Sequence, residues 1–181
     1  MKKALDKFII KLQEAAKNMK DDHYFQLPVA GSSKRIFRER VYCYELYHQL
    51  RNILQDGFSY KLYGEVDKTG HPLIPGANKP DFIVHEPGNM DRNLVVIEVK
   101  SVTGAKLKSL EKDIDTIKRA INEWRYYGGI LLIYGNGVWD LPDNIKKKVK
   151  ELIGGDKIFL LWHRAHGTKP EIINLASSVN R

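Results

Sequence analysis

Three charged residues stand in or beside apolar runs: Asp81 ahead of Phe82-Ile83-Val84, and Glu98 and Lys100 inside Leu94-Val95-Val96-Ile97-Glu98-Val99-Lys100. Both runs have strand length and are rich in branched and aromatic side chains. The stretch from His85 to Arg92 carries Glu-Pro-Gly-Asn-Met-Asp, which is turn chemistry, so an antiparallel pair is expected. Pairing Val84 with Val95 sets Ile83 against Val96, Phe82 against Ile97 and Asp81 against Glu98. Alternation gives one face to Leu94, Val96, Glu98 and Lys100 and the other to Val95, Ile97 and Val99. Both faces are largely apolar, as in a central strand covered on two sides. Opposed Cβ atoms lie roughly 4.5–5.5 Å apart, and like charges placed so are destabilising. A cation between them reverses that sign, and hard carboxylate oxygens suit Mg²⁺ better than Zn²⁺. Lys100, roughly 6.6 Å along the strand from Glu98 and on the same face, can reach a substrate or water held there. The plainer alternative is a strand emerging into solvent with an exposed ion pair worth about 0–1 kcal/mol.

Pro80-Asp81 followed by Glu98-Val99-Lys100, seventeen positions on, resembles the signature of the PD-(D/E)xK nuclease superfamily, the restriction-endonuclease-like fold. The resemblance covers roughly residues 38–134. It implies an α/β chain with a central mixed β-sheet flanked by helices, in the order helix, three antiparallel strands, second helix, further strand. It further implies that Asp81 and Glu98, with the backbone carbonyl of Val99, bind Mg²⁺, for which Mn²⁺ can substitute, and that Lys100 assists hydrolysis of a phosphodiester. A glutamate on the first helix approaches the metal in this family, often through water, and Glu45 is the matching position. Glu45 is thus expected among both the catalytic and the metal-binding residues; the alternative is a pairing with a basic neighbour on a solvated face.

The elements needed to position these residues are legible. Segment 38–55 places Cys43, Leu46, Tyr47, Leu50, Ile53 and Leu54 at helical spacing and is closed by Asp56-Gly57. Glu45, His48, Gln49 and Asn52 form a polar stripe beside the apolar one. Phe58 to Val66 is a first strand. Segment 105–125 sets Leu107, Leu110, Ile114, Ile117, Ile121 and Trp124 at steps of three and four, an amphipathic helix, and Gly129 to Tyr134 is a short apolar strand. Before this core (38–134), residues 1–37 supply an extra helix, with Leu5, Phe8, Leu12, Ala15, Ala16 and Met19 at helical spacing, and a connecting loop over 21–37. After it, residues 135–181 supply a helix begun by Leu141-Pro142 and ended by Gly154-Gly155, with Ile145, Val149 and Leu152 inward, then a strand from Lys157 to Trp162. The tail from His163 lacks periodicity. One nuclease-like domain over 1–181 is expected, and the N-terminal helix could dock on it or form a homodimer contact.

Composition bounds the partners. With 43% hydrophobic residues, the 181-residue chain can bury a core. The single cysteine, Cys43, lies on an apolar helix face, which excludes a disulfide framework and points to packing. No apolar run is long enough to span a bilayer and the charged start lacks a signal peptide's apolar block, so a cytoplasmic location and no membrane partner are expected. A net charge of +8, clustered at Lys34-Arg35 with Arg38 and Arg40, at Lys106, Lys108 and Lys112, and at Lys146-Lys147-Lys148 with Lys150, favours nucleic acid, with DNA the expected substrate and RNA the variant of it. His163 and His166 lack an acidic or cysteine partner at ligand spacing and read as loop histidines. The glycines form no phosphate-cradling loop. The function expected is a Mg²⁺-dependent DNA endonuclease; its rival is a non-catalytic nucleic-acid-binding or assembly subunit on the same fold.

Overall fold

The computed structural model describes residues 1–54, 57–66, 79–135, 143–153 and 157–173. Helix α1 (Lys2–Lys17) is followed by strands β1 (Leu27–Pro28) and β2 (Arg35–Ile36), helix α2 (Glu39–Leu54), and strands β3 (Lys61–Gly64), β4 (Phe82–His85) and β5 (Asn93–Ser101). Helix α3 (Leu107–Asn122), strand β6 (Tyr126–Tyr134), helix α4 (Asp143–Ile153) and strands β7 (Ile158–His163) and β8 (Glu171–Ile172) complete the described order. The architecture is α/β: a mixed six-stranded sheet, β3-β4-β5-β6-β7-β8, flanked by helices.

Strand β4 runs antiparallel to both of its neighbours, β3 and β5; β5, β6 and β7 run parallel, and β8 returns antiparallel to β7. Each parallel step requires a crossover, and α3 and α4 lie on the two crossing segments. The hairpin register is the expected one: Phe82 pairs with Ile97, Ile83 with Val96 and Val84 with Val95.

One expectation about its faces fails. A bulge between Val84 and His85 pairs His85 with Asn93, which leaves Leu94 as an extra residue. An extra residue in one strand breaks the two-residue alternation, and Leu94 packs with Val95, Ile97 and Val99 instead of with Val96.

The sheet separates two apolar layers. On one side Phe8 and Leu12 of α1 and Tyr42, Leu46 and Leu50 of α2 close over Val95, Ile97 and Val99. On the other, Leu110, Ile114 and Ile117 of α3 and Val149 of α4 close over Ile83, Val96, Leu131 and Ile133. Full burial of such side chains stabilises by about 1.5–3 kcal/mol each, which is why β5 is a poor place for an unpaired charge. Helix α3 lies close on the sheet because β6 carries Gly129, where an added Cβ would lie 2.1 Å from Ile117 Cγ2.

Other expectations shift at element ends. The segment 21–37, expected as a plain loop, holds a 3-10 turn (Asp22–Tyr24) and the β1–β2 ladder. The strand expected over 58–66 is shorter, and the one expected from Gly129 starts three residues earlier, at Tyr126. The unpatterned tail contributes β8. The apolar stripe of α1 docks on α2 and β5 of its own chain. Asp56, Leu141-Pro142 and Gly154-Gly155, expected at helix ends, lie outside the described residues, as do the side chains of Ile145, Lys146 and Lys148. Among the described residues, no helix is long and apolar enough to cross a membrane.

Candidate active site

Asp81 stands one residue before β4, where the ladder with β5 would continue, and its Oδ2 accepts the Val99 N–H at 2.7 Å. The bond replaces the next rung of the ladder and ties the carboxylate to β5. Glu98, one residue back on β5, is 9% exposed. Continuing the register by one pair sets it opposite Asp81, as expected.

Two carboxyl groups held in so dry a place resist ionisation, and Asp81 adds to the resistance of Glu98. Burial pushes the Asp81 carboxyl up to about 6; the Val99 N–H and the Lys100 ammonium oppose that rise, while the carboxylates of Glu39 and Asp113 add to it. Glu98 is raised well above the ordinary carboxylate range, first by burial and then by Asp81 and Asp113, with Lys100 and the Asp81 backbone N–H only partly offsetting them. A carboxyl pair shifted in this direction is one whose charged form lacks a sufficient cation.

Lys100 follows on β5 and is the cation at hand. Its Nζ lies 3.2 Å from Asp113 Oδ2 on α3 and 3.5 Å from Glu39 Oε2 on α2. Burial alone would depress the amine, but the carboxylates of Asp113, Glu39 and Asp81 outweigh it and hold the ammonium above its ordinary pKa. The charged form of Lys100 is thus the one its carboxylate neighbours favour. Four carboxylates, those of Glu39, Asp81, Glu98 and Asp113, act on this one ammonium or on each other.

Glu39 was not singled out from the sequence. It opens α2, where an acidic side chain complements the helix dipole, and its Oε1 accepts the Ser101 N–H at 3.0 Å and the Ser101 Oγ–H at 3.2 Å. The turn after β5 is shaped around it: a Cβ on Gly104 would lie 2.7 Å from Glu39 Oε1. Among the described residues, Glu45 makes no hydrogen bond or ion pair to this group. Its carboxylate accepts Gln49 Nε2 at 2.7 Å, while His48 and Asn52 pair with each other at 3.1 Å. Six residues on a helix amount to about 9 Å of rise and roughly 240° of rotation, so Glu39 and Glu45 cannot both face the end of β5. Among the described residues, the partner of Glu45 is the neutral Gln49 and not a basic neighbour.

Asp113 was missed too, although a signal for it existed. It lies three residues after Leu110 and four before Ile117, hence on the buried stripe of α3, and a carboxylate interrupting that stripe needs a partner inside the fold.

The donor set suits a hard divalent ion. Asp81 Oδ1 takes no hydrogen bond among the described residues, Glu98 offers a second carboxylate, and both are raised in the sense that a bound cation would reverse. Zinc chemistry fits worse. Cys43 is buried, with its thiol pushed well up by burial. His163 ends β7 instead of lying in a loop; it is fully buried, its Nδ1 is 2.8 Å from Tyr42 Oη, and burial lowers its pKa to about 4. Among the described residues, the group of three potential ligands whose atoms lie within 4.8 Å of one another is Asp21, Asp22 and His23. Its members are occupied: Asp21 accepts from the His23 backbone, and Asp22 pairs with Arg35.

The basic clusters divide. Arg35 and Arg40 are engaged, with Asp22 and Glu65 respectively, whereas Lys34, Lys106, Lys108, Lys112, Lys147 and Lys150 are exposed. No protein-family model matches the chain, and no curated protein matches it.

Proposed function

We propose that this chain is a metal-dependent nuclease that hydrolyses phosphodiester bonds in nucleic acid, DNA being the substrate class chosen, on a restriction-endonuclease-like core. The observation that carries the reading is the burial of Asp81 and Glu98 together at one sheet margin, both with raised pKa, beside a lysine that stays charged. The order α2, β3, β4, β5, α3, β6 agrees with the core implied by the Pro80-Asp81 and Glu98-Val99-Lys100 resemblance.

Asp81 and Glu98, with the Val99 carbonyl, would hold Mg²⁺, or Mn²⁺ in its place. When bound, such an ion supplies Lewis-acid polarisation of a phosphodiester and lowers the pKa of water. The chain's own groups do the rest. The Val99 N–H fixes the Asp81 carboxylate through Oδ2 and leaves Oδ1 for a ligand. The buried walls around Glu98 exclude bulk water and so strengthen every charge interaction at the margin. Lys100, kept protonated by its carboxylate neighbours, donates hydrogen bonds to a phosphate oxygen or to the attacking water and offsets the negative charge that accumulates at phosphorus. Exposed Lys106, Lys108 and Lys112 at the start of α3 meet backbone phosphates without reading bases.

A second reading has one observation in its favour: Lys100 is engaged by Asp113 and Glu39, as it would be in a binding or assembly subunit whose acidic site does no chemistry. A cleavage panel of supercoiled, linear, flapped, branched and single-stranded DNA plus RNA separates the two. With Mg²⁺ or Mn²⁺ the wild type cuts at least one of these, and Asp81→Asn, Glu98→Gln and Lys100→Ala each lose about 10³-fold or more of the rate while staying folded. Full cutting by a folded Glu98→Gln protein would refute the assignment, and salt-sensitive binding without cleavage under any divalent ion would establish the binding subunit.

A further inference from the structure

Asp113 occupies a position on α3 whose neighbours along the stripe are apolar. It lies on the stripe that α3 turns to the sheet, among Leu110, Ile114 and Ile117, and is 7% exposed. Replacing a buried ion pair by packed apolar side chains is often neutral or stabilising, so folding stability is a poor account of this carboxylate.

Its surroundings give a better one. Asp113 Oδ2 lies 3.2 Å from Lys100 Nζ, an ion pair between a largely buried carboxylate and a largely buried ammonium. The other anchor of the ammonium, Glu39 Oε2, is farther away at 3.5 Å, on a carboxylate whose Oε1 is already committed to Ser101. A lysine side chain has four rotatable bonds and much rotamer freedom, and the charge of Asp113 on α3, opposite Glu39 on α2, restricts where its ammonium can lie. Helix α3 is well suited to supply that charge, because Gly129 lets it lie against β6 more closely than any side chain at that position would allow.

Resting on the nuclease reading, we infer that Asp113 is a positioning residue: from α3 it aims the Lys100 ammonium over the margin formed by Asp81 and Glu98, without itself touching substrate or metal. A merely structural role would lower the folded fraction and leave the turnover of each folded molecule alone. A ligand role would lower metal uptake.

The test compares wild type, Asp113→Asn and Asp113→Glu on the best substrate of the cleavage panel, with calorimetric Mn²⁺ uptake and crystal structures of each. The expected result for Asp113→Asn is a kcat lower by about 10- to 100-fold with KM changed less than about twofold, Mn²⁺ uptake within about threefold of wild type, and Lys100 Nζ displaced or spread over several rotamers. Asp113→Glu keeps the charge but moves it by one methylene; it should restore part of kcat, and it provides the same readouts if Asp113→Asn does not fold. An unchanged kcat in the folded variants, or loss of Mn²⁺ uptake in step with kcat, would overturn the inference. A wild type that cleaves nothing overturns the nuclease reading and this role with it; a cleaving wild type whose Asp113 variants keep kcat overturns the Asp113 role alone.

Discussion

At the scale of single residues, the site is defined by charge placed where solvation is poor. Asp81 has a folded pKa of about 6 against an ordinary 3.8, with burial as the leading cause. A raised carboxyl binds protons more tightly in the folded state than in the unfolded one. It therefore contributes stability that is fully present below pH 3.8 and is lost as pH rises through about 6. The stability of the metal-free wild type relative to Asp81→Asn should accordingly fall by on the order of 2 kcal/mol between pH 4 and pH 7. Urea denaturation of both proteins over that range checks it, and parallel curves would remove the electrostatic basis of the site. The partnership of Asp81 and Glu98 was legible in the sequence, because branched residues on both strands and an eight-residue connection admit one register that keeps apolar groups together. The bond from the Val99 N–H to Asp81 was not legible: it depends on where the ladder stops, and side-chain pattern carries no record of that.

At the scale of elements, the helix glutamate is the instructive case. The polar stripe of Glu45, His48, Gln49 and Asn52 is real, and its members bond to one another along α2. A stripe says which residues share a face, but not which way the helix is turned on the sheet. That rotation is set by Tyr42, Leu46 and Leu50 packing under α1 and over β5, and it brings the first residue of α2, Glu39, to the end of β5. Glu39→Gln should lower cleavage by about tenfold or more, by loosening the turn at Ser101 and removing one anchor of Lys100, whereas Glu45→Gln should stay within about twofold of wild type. Rate measurements on the two variants settle it, and the reverse order would mean that Glu45 reaches the site after all. Leu94 makes the same point for strands: an alternation read from sequence holds until a bulge, and the bulge at Val84 and His85 moved that residue to the other layer. Two-residue strands such as β1, β2 and β8 are too short for any periodicity to announce them.

At the scale of the whole molecule, a chain of net charge +8 carries carboxyl groups at Asp81 and Glu98 that burial disfavours as anions. In the proposed function a polyanion would be drawn to the exposed lysines, and a divalent ion at Asp81 and Glu98 would offset the repulsion from those carboxylates. Binding to DNA should therefore be steeply salt-dependent, and replacing Lys106, Lys108 and Lys112 by Ala together should reduce the slope of log K against log salt by about three, roughly one for each phosphate no longer neutralised. Fluorescence anisotropy at several salt concentrations measures this, and an unchanged slope would place the phosphate path elsewhere. Net charge and its clustering were legible from composition, but their partition was not: Arg35 and Arg40, basic in the sequence, are tied to Asp22 and Glu65 once the chain is folded. The most direct test of the central claim is a calorimetric titration of Mn²⁺ into the protein with a cleavage-resistant phosphorothioate oligonucleotide bound. Saturable uptake by the wild type, weakened about tenfold or more by Glu98→Gln, is the predicted result; no uptake, or the same uptake in the variant, would contradict it.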